Sequence, residues 1–388
     1  MKKLLYGDYN ATSPVLTEVY EAMLPYLQES FGNPSSIHQW GRRARVAIEQ
    51  ARETVARLIN AERNDIIFTS GGSEANNFCI LGLAKKLTPG KDVLVTSTIE
   101  HSSIMEIFRI LEEQGFEIVR LNPDRCGMIP LDLFEKILDQ KNVKLVSIMA
   151  ANNEIGTLQD IPVLSKLTKN KGAYFHTDAV QWMGRLPLDI KIWNVDALSA
   201  SGHKMGTPKG VGFAYLAPGL KLDPLIYGGH HERDMRAGTE NVAGIVGLGK
   251  AATVACDGRI RKWQNLEKLV QKLEKELKQN IADLKINGAI ESRLPNTSNI
   301  TFFGINAESL IMNLDMDGIG VSAGSACLSG GLEPSHVLLA LGLDQKNALS
   351  TIRISIGPEW TDQDIDYLIG RILYWVAYQK RIQTEIHL

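Results

Sequence analysis

The feature that most constrains this chain is an alternation. Between residues 66 and 215, short apolar runs take turns with longer segments whose apolar residues recur every three or four positions. The runs predict strands at Ile66–Thr69, Val93–Thr96, Glu117–Arg120, Lys144–Met149, Ala173–His176, Ala197–Ala200 and Val211–Tyr215. The periodic segments predict helices at Glu74–Lys86, Ser102–Gln114, Leu131–Gln140 and Ile161–Lys169. Strands separated by helices read as βαβ units, so the expected architecture is α/β, with a mostly parallel seven-stranded sheet covered on both faces. Upstream, Ser36–Ile59 reads as a long amphipathic helix. After Gly258, Trp263, Leu266, Val270, Leu273, Leu277, Ile281 and Leu284 step by three or four and predict another. That helix leads into a smaller C-terminal α+β domain ending in a helix at Asp362–Lys380. The expected division is a large domain over 13–258 and a small one from 1–12 and 259–388.

Composition narrows the function classes. With 44% hydrophobic and 22% charged residues, 388 residues can bury a sizeable core, which excludes wholesale disorder. Lys and Arg total 42 against 44 Asp and Glu, a formal net charge of −2, leaving no electrostatic footprint for nucleic acid or an anionic membrane. No apolar run approaches the roughly 18 residues of a membrane span. The opening MKKLLYGDYN loses its apolar character by Asp8, unlike a signal peptide. A soluble cytoplasmic protein is expected. No GxxxxGK[ST] occurs, and the glycines of GIVGLGKA lie in a helical stretch in the wrong order for a dinucleotide loop, so they read as helix-packing positions.

The four cysteines, Cys79, Cys126, Cys256 and Cys327, form no CxxC pair and have no histidine at zinc spacing, so neither a metal site nor a disulfide framework is expected. Cys79, in FCILGLA, reads as a buried apolar residue. Cys327 stands in GIGVSAGSACLSGGLEPSH, where glycine and serine dominate and a core role makes no sense.

Ligands of open parallel sheets bind beyond the carboxyl ends of the strands. Those ends carry an unusual set here. Gly71, Gly72 and Ser73 lead from a strand straight into a helix, an arrangement suited to an anion. His101 follows the second strand, Asn152, Asn153 and Glu154 the fourth, Asp178 and Gln181 the fifth, and Ser201, His203 and Lys204 the sixth. Taken singly, each suits a turn, a cap or a solvated surface. Together they supply a phosphate cradle, a carboxylate to keep a pyridine nitrogen protonated, and an amine able to form a Schiff base. Those are the groups a pyridoxal-phosphate enzyme needs.

At these residues the chain resembles the cysteine desulfurases of the NifS/IscS type, within the fold-type-I, class V aminotransferase-like pyridoxal-phosphate enzymes. The resemblance runs from DYNAT and GNPSSIH to RISIG, through NNEIGTLQDI, FHTDAVQ, SGHKMGTPKGVG, MRAGTENV and SAGSACLSGGLEPSHVLLALG. It implies pyridoxal 5'-phosphate held as a Schiff base on Lys204, with Asp178 at the pyridine nitrogen and Gln181 at the phenolic oxygen. His101 would stack on the ring and serve in acid–base steps. Gly72, Ser73, Ser201 and His203 would hold the phosphate, joined by Thr239 from the second subunit of a homodimer. Asn153 would contact cofactor and substrate, Arg353 the substrate carboxylate, and Cys327 would be the nucleophile. The implied reaction converts L-cysteine to L-alanine, leaves a persulfide on Cys327, and passes that sulfur to an acceptor protein for iron–sulfur assembly or tRNA thiolation. Selenocysteine lyase and other aminotransferase-like activities are the alternatives on the same fold. A non-catalytic sulfur-carrier or assembly scaffold is the alternative of another class; it has no need of Lys204, Asp178 and His101, which are all present.

Overall fold

A computed structural model describes residues 4–86, 92–323 and 333–386. The chain opens with a two-residue strand, β1 (Leu5–Tyr6), and two helices, α1 (Thr17–Gln28) and α2 (Gln39–Leu58). The expected alternation follows: β2 (Ile66–Thr69), α3 (Gly72–Lys85), β3 (Val93–Ser97), α4 (Ser102–Glu113), β4 (Glu117–Leu121) and α5 (Leu131–Gln140). It continues through β5 (Val143–Ser147), α6 (Ile161–Asn170), β6 (Tyr174–Asp178), the short α7 (Ile190–Trp193), β7 (Ala197–Ser201) and β8 (Gly212–Leu216). These seven longer strands form one sheet in the order β2-β8-β7-β6-β5-β3-β4. All neighbours are parallel except those of β8, which runs antiparallel to both β2 and β7. The reason is connection length. Residues 202–211 between β7 and β8 hold only a short 3-10 turn, too little for a parallel crossover of a dozen or more residues.

Boundaries differ from the sequence expectation where turns intervene. Helix α3 starts at Gly72 rather than Glu74, because Gly71 reverses the chain at φ +154°. The glycines of GIVGLGKA lie in α8 (Val242–Val254) and let it approach its neighbours. A Cβ on Gly249 would stand 2.7 Å from Ala51 of α2, and one on Gly247 2.7 Å from Met23 of α1.

After α8 the chain kinks at Gly258, φ +113°, and enters α9 (Ile260–Asn280). That helix ends before Ile281 and Leu284, whose spacing mimics its period; Leu284 instead begins β9 (Leu284–Asn287). Strand β10 (Thr297–Phe302), α10 (Ala307–Met316), β11 (Ile319–Gly320), α11 (His336–Ala340), α12 (Gln345–Ala348), β12 (Thr351–Ser355) and α13 (Asp362–Ile386) follow. β10 pairs antiparallel with β12 and β9, and β11 pairs parallel with β1. The apolar face of α9 (Trp263, Leu266, Val270, Leu273, Leu277) packs with Ile300, Phe302, Ile352 and Ile354 in a core distinct from those on the large sheet, and Leu5 and Tyr9 join it. On that separation we propose Gly258 as the domain junction, with the N-terminal segment belonging to the small domain.

Candidate active site

Small residues meet at the carboxyl edge of the large sheet. A Cβ on Gly71 would lie 3.7 Å from Ser201 Oγ and one on Gly72 3.5 Å from Ser201 Cβ, so the start of α3 and the end of β7 are neighbours. No side chain caps α3, which leaves its first amides available to an anion. Ser73 is exposed at that end, and His203 sits one turn beyond Ser201 with Nδ1 3.1 Å from Thr12 Oγ1. Burial, with the Lys204, Lys209 and Arg185 cations, holds His203 down at about 4, so its ring is neutral.

Asp178 ends β6 nearly buried. Its Oδ2 accepts from Asn76 Nδ2 at 2.8 Å and its Oδ1 from the Val180 amide at 2.9 Å. Asn76 lies on the inner face of α3, and its Oδ1 is buried without a partner among the described residues, as is Oε1 of Gln181. Gln181 Nε2 donates to the Asn10 carbonyl at 2.9 Å. Lys204 Nζ donates to that same carbonyl at 2.5 Å and to the Ala11 carbonyl at 2.6 Å. Burial first, then the Arg185 and Arg353 cations, lower the Lys204 amine to about 7, against the opposing pull of Asp8 and Asp178. An amine so placed is half neutral near physiological pH and is competent as a nucleophile or base.

His101 caps α4, and its pKa is lowered by burial, with Lys204 and His336 adding to the shift and Asp178 opposing it. Its predecessor Glu100 is fully buried, accepts from Ser97 Oγ and the Met149 amide, and is pushed up to about 8 by that burial.

Arg353, in the middle of β12, reaches this edge from the other sheet. Its guanidinium donates to Asp8 Oδ1 at 2.6 Å and to the Asn153 carbonyl at 3.0 Å. Asn153 therefore meets Arg353 through its backbone. Asn10 joins the two halves: its Nδ2 donates to the Asn153 carbonyl at 3.0 Å and to Thr297 Oγ1 at 2.9 Å, while its Oδ1 accepts from Arg185 at 2.6 Å. Arg185 is fully buried, bonded to neutral oxygens and stacked 4.9 Å from the Trp263 ring; burial lowers it to about 9.

The structure thus brings Gly72, Ser201, His203, Lys204, Asp178, Gln181, Asn153 and Arg353 to one edge. Thr239 stands elsewhere, exposed beside a cavity of about 160 Å³ lined by Ser70, Gly210, Arg236 and Glu240. Cys327 lies outside the described residues. Sequence reasoning gave no role to Asp8 and Asn10, although both stand in the DYNAT motif, nor to Asn76, Ser103 and Arg185. The polar pair Asn76–Asn77 ahead of the apolar FCILGLA was a usable signal; the roles of the others appear only once the chain is folded.

The arrangement offers an anion cradle, a buried carboxylate, a poised amine and a guanidinium. The model of the class-V aminotransferases matches residues 5–368. A cysteine desulfurase IscS of Dictyoglomus turgidum is 47% identical over 369 residues, 95% of this chain and 93% of that protein. Among solved structures, a NifS-like protein superposes with a TM-score of 0.90 at 35% identity, over 97% of this chain and all of that one. SspA in complex with cysteine superposes at 0.80 and 36% identity, over 92% of this chain and all of that one. The chain belongs to the class-V aminotransferase family, among its cysteine desulfurases of the IscS/NifS type.

Proposed function

We propose that this protein takes the sulfur from L-cysteine, releases L-alanine and carries the sulfur as a persulfide on Cys327, with pyridoxal 5'-phosphate held by Lys204. The observation that carries this reading is the Asn10 bridge: through it, the low-pKa amine of Lys204 and the guanidinium of Arg353 share one site. An amino acid offers one group to each, its nitrogen side to Lys204 and its carboxylate to Arg353. The IscS relatives and the cysteine complex of SspA support the same substrate.

The residues fit the cofactor. The capless α3 with Gly72, Ser73, Ser201 and neutral His203 suits a phosphate, and Asp178 suits a protonated pyridine nitrogen. The unpartnered buried oxygens of Gln181 and Asn76 mark polar ground that the described protein leaves unsatisfied. Bound there, pyridoxal phosphate supplies an electron sink that loosens bonds around the substrate α-carbon. Gln181 holds the phenolic oxygen, and His101 lies against the ring and serves in proton transfer. Arg353 orients the carboxylate, with Asn153 tying it to the site, and the free amine of Lys204 takes up and returns protons at the α-carbon. The Cys327 thiolate forms an S–S bond with the substrate sulfur as the C–S bond breaks; the electron pair left on carbon takes a proton, giving alanine. A sulfur-acceptor protein of iron–sulfur assembly or tRNA thiolation then receives the persulfide sulfur. Thr239 completes the phosphate site of the second subunit in a homodimer. No helix among the described residues is long and apolar enough to cross a membrane, and a cytoplasmic location is part of the proposal.

The test adds L-cysteine and a thiol reductant to purified protein and follows alanine and sulfide together. Equal amounts from the parent, and neither from Cys327→Ala, are expected. A Cys327→Ala variant that delivers sulfide at the parent rate removes Cys327 from the mechanism.

A further inference from the structure

Two donors converge on one nitrogen of His101. The Ser103 backbone N–H donates to Nδ1 at 3.2 Å, and this donor cannot rotate away. Ser103 Oγ lies 2.8 Å from the same Nδ1. The direction of that second bond follows from its neighbour. Asn76 Nδ2 has two hydrogens; one goes to Asp178 Oδ2 at 2.8 Å and the other to Ser103 Oγ at 3.0 Å. With its oxygen already accepting from Asn76, the serine hydroxyl donates its own hydrogen to Nδ1. A proton on Nδ1 would oppose the Ser103 amide and leave that hydroxyl without an acceptor, so the network itself selects the tautomer.

We infer that Ser103, aligned by Asn76, is a positioning residue that keeps His101 as the neutral Nε2–H tautomer, so that the ring presents a hydrogen-bond donor, not a base, at Nε2. Nε2 bonds to no described residue and is the nitrogen left for a bound molecule. Proton uptake in the site then falls to Lys204. The inference rests on the reading that places His101 against the cofactor, and it narrows the histidine's role there. The groups around the ring act consistently: burial disfavours a second proton, as do the neighbouring Lys204 and His336, against the pull of Asp178. His336 comes from α11, with its Nε2 3.0 Å from the Glu100 carbonyl. Ser102 and Ser103 both follow His101 in the sequence, but only the fold shows which one touches the ring.

The test is nitrogen-15 NMR of holoenzyme labelled at histidine, with Ser103→Ala and Ser103→Thr alongside. His101 of the parent is expected to show a protonated Nε2 and an acceptor-type Nδ1. Losing one donor to Nδ1 in Ser103→Ala should raise the His101 pKa by about half to one unit, the worth of one ordinary hydrogen bond. The acid limb of kcat/KM should move up by the same amount, and Ser103→Thr, which keeps the hydroxyl, should restore both. A proton on Nδ1 in the parent overturns the inference, as does a Ser103→Ala protein with parental tautomer and pKa. If the parent makes no alanine from cysteine while Nε2 is protonated as expected, the proposed reaction fails and the tautomer assignment stands.

Discussion

Lys204 shows how much a single residue's chemistry depends on its surroundings. An ordinary lysine is a cation at neutral pH; here burial and two guanidinia lower its amine to about 7 from 10.5. In the unfolded chain the amine keeps its ordinary pKa, so between about pH 7 and 10.5 the unfolded state binds more protons and stability rises with pH. Below about 7 the amine is protonated in both states and the cost of burying its charge is fully present. Cofactor-free Lys204→Met is therefore expected to exceed the parent in urea midpoint near about pH 6, with the advantage shrinking toward about pH 10. The change is bounded at about 5 kcal/mol by the shift itself. A difference that does not vary with pH would show the amine unshifted. Lys204, Asp178 and His101 were legible because each ends a strand or follows one directly, and that position alone points a side chain at the sheet edge. Asp8, Asn10 and Arg185 were not. Each acquires its role from partners far along the chain, as when Arg353 meets Asp8 across 345 positions.

At the scale of elements, the chain's own periodicities placed all seven strands of the large sheet and four of the five helices between them, all but the four-residue α7, which is too short to show a period. What they missed were ends and directions. Strand β8 runs antiparallel because its connection is short, and the connection's length is visible only after both strands have been located. Glycine spacing in α8 did announce close packing, and α2 and α8 meet where Gly249 faces Ala51. A methyl group there must displace backbone rather than a flexible side-chain tip. Gly249→Ala is expected to destabilise by up to about 2 kcal/mol despite its better helix propensity, the overpacking cost of about 1–3 kcal/mol less the roughly 1 kcal/mol gained in the helix. Urea titration followed by circular dichroism reads this directly, and a variant as stable as the parent would mean the helices can move apart freely.

For the molecule as a whole, an apolar surface stands beside the loop of Thr239. Ile37 is 89% exposed, Trp40 50%, Val46 54% and Tyr227 78%. Arg45, on α2 between Trp40 and Val46, forms a 2.9 Å ion pair with Glu240, next to Thr239. In the proposed homodimer a second copy would cover this face, and Thr239 beside it would be carried toward the neighbouring site. Sedimentation should find a dimer, and Trp40→Glu combined with Val46→Glu should give a monomer that retains pyridoxal phosphate poorly. A monomer that holds the cofactor as well as the parent would remove Thr239 from the neighbouring site. The sequence by itself determined the mostly parallel α/β sheet and the reactive groups along its edge, since apolar periodicity and a place at a strand's end are local properties. Only the tertiary structure decided how those groups are held. Asn10 between Lys204 and Arg353 and Asp8 against Arg353 join the two domains, and Asn76 joins α3 to Ser103 on α4 behind His101; these contacts link segments far apart in the chain and exist only once the elements are packed together.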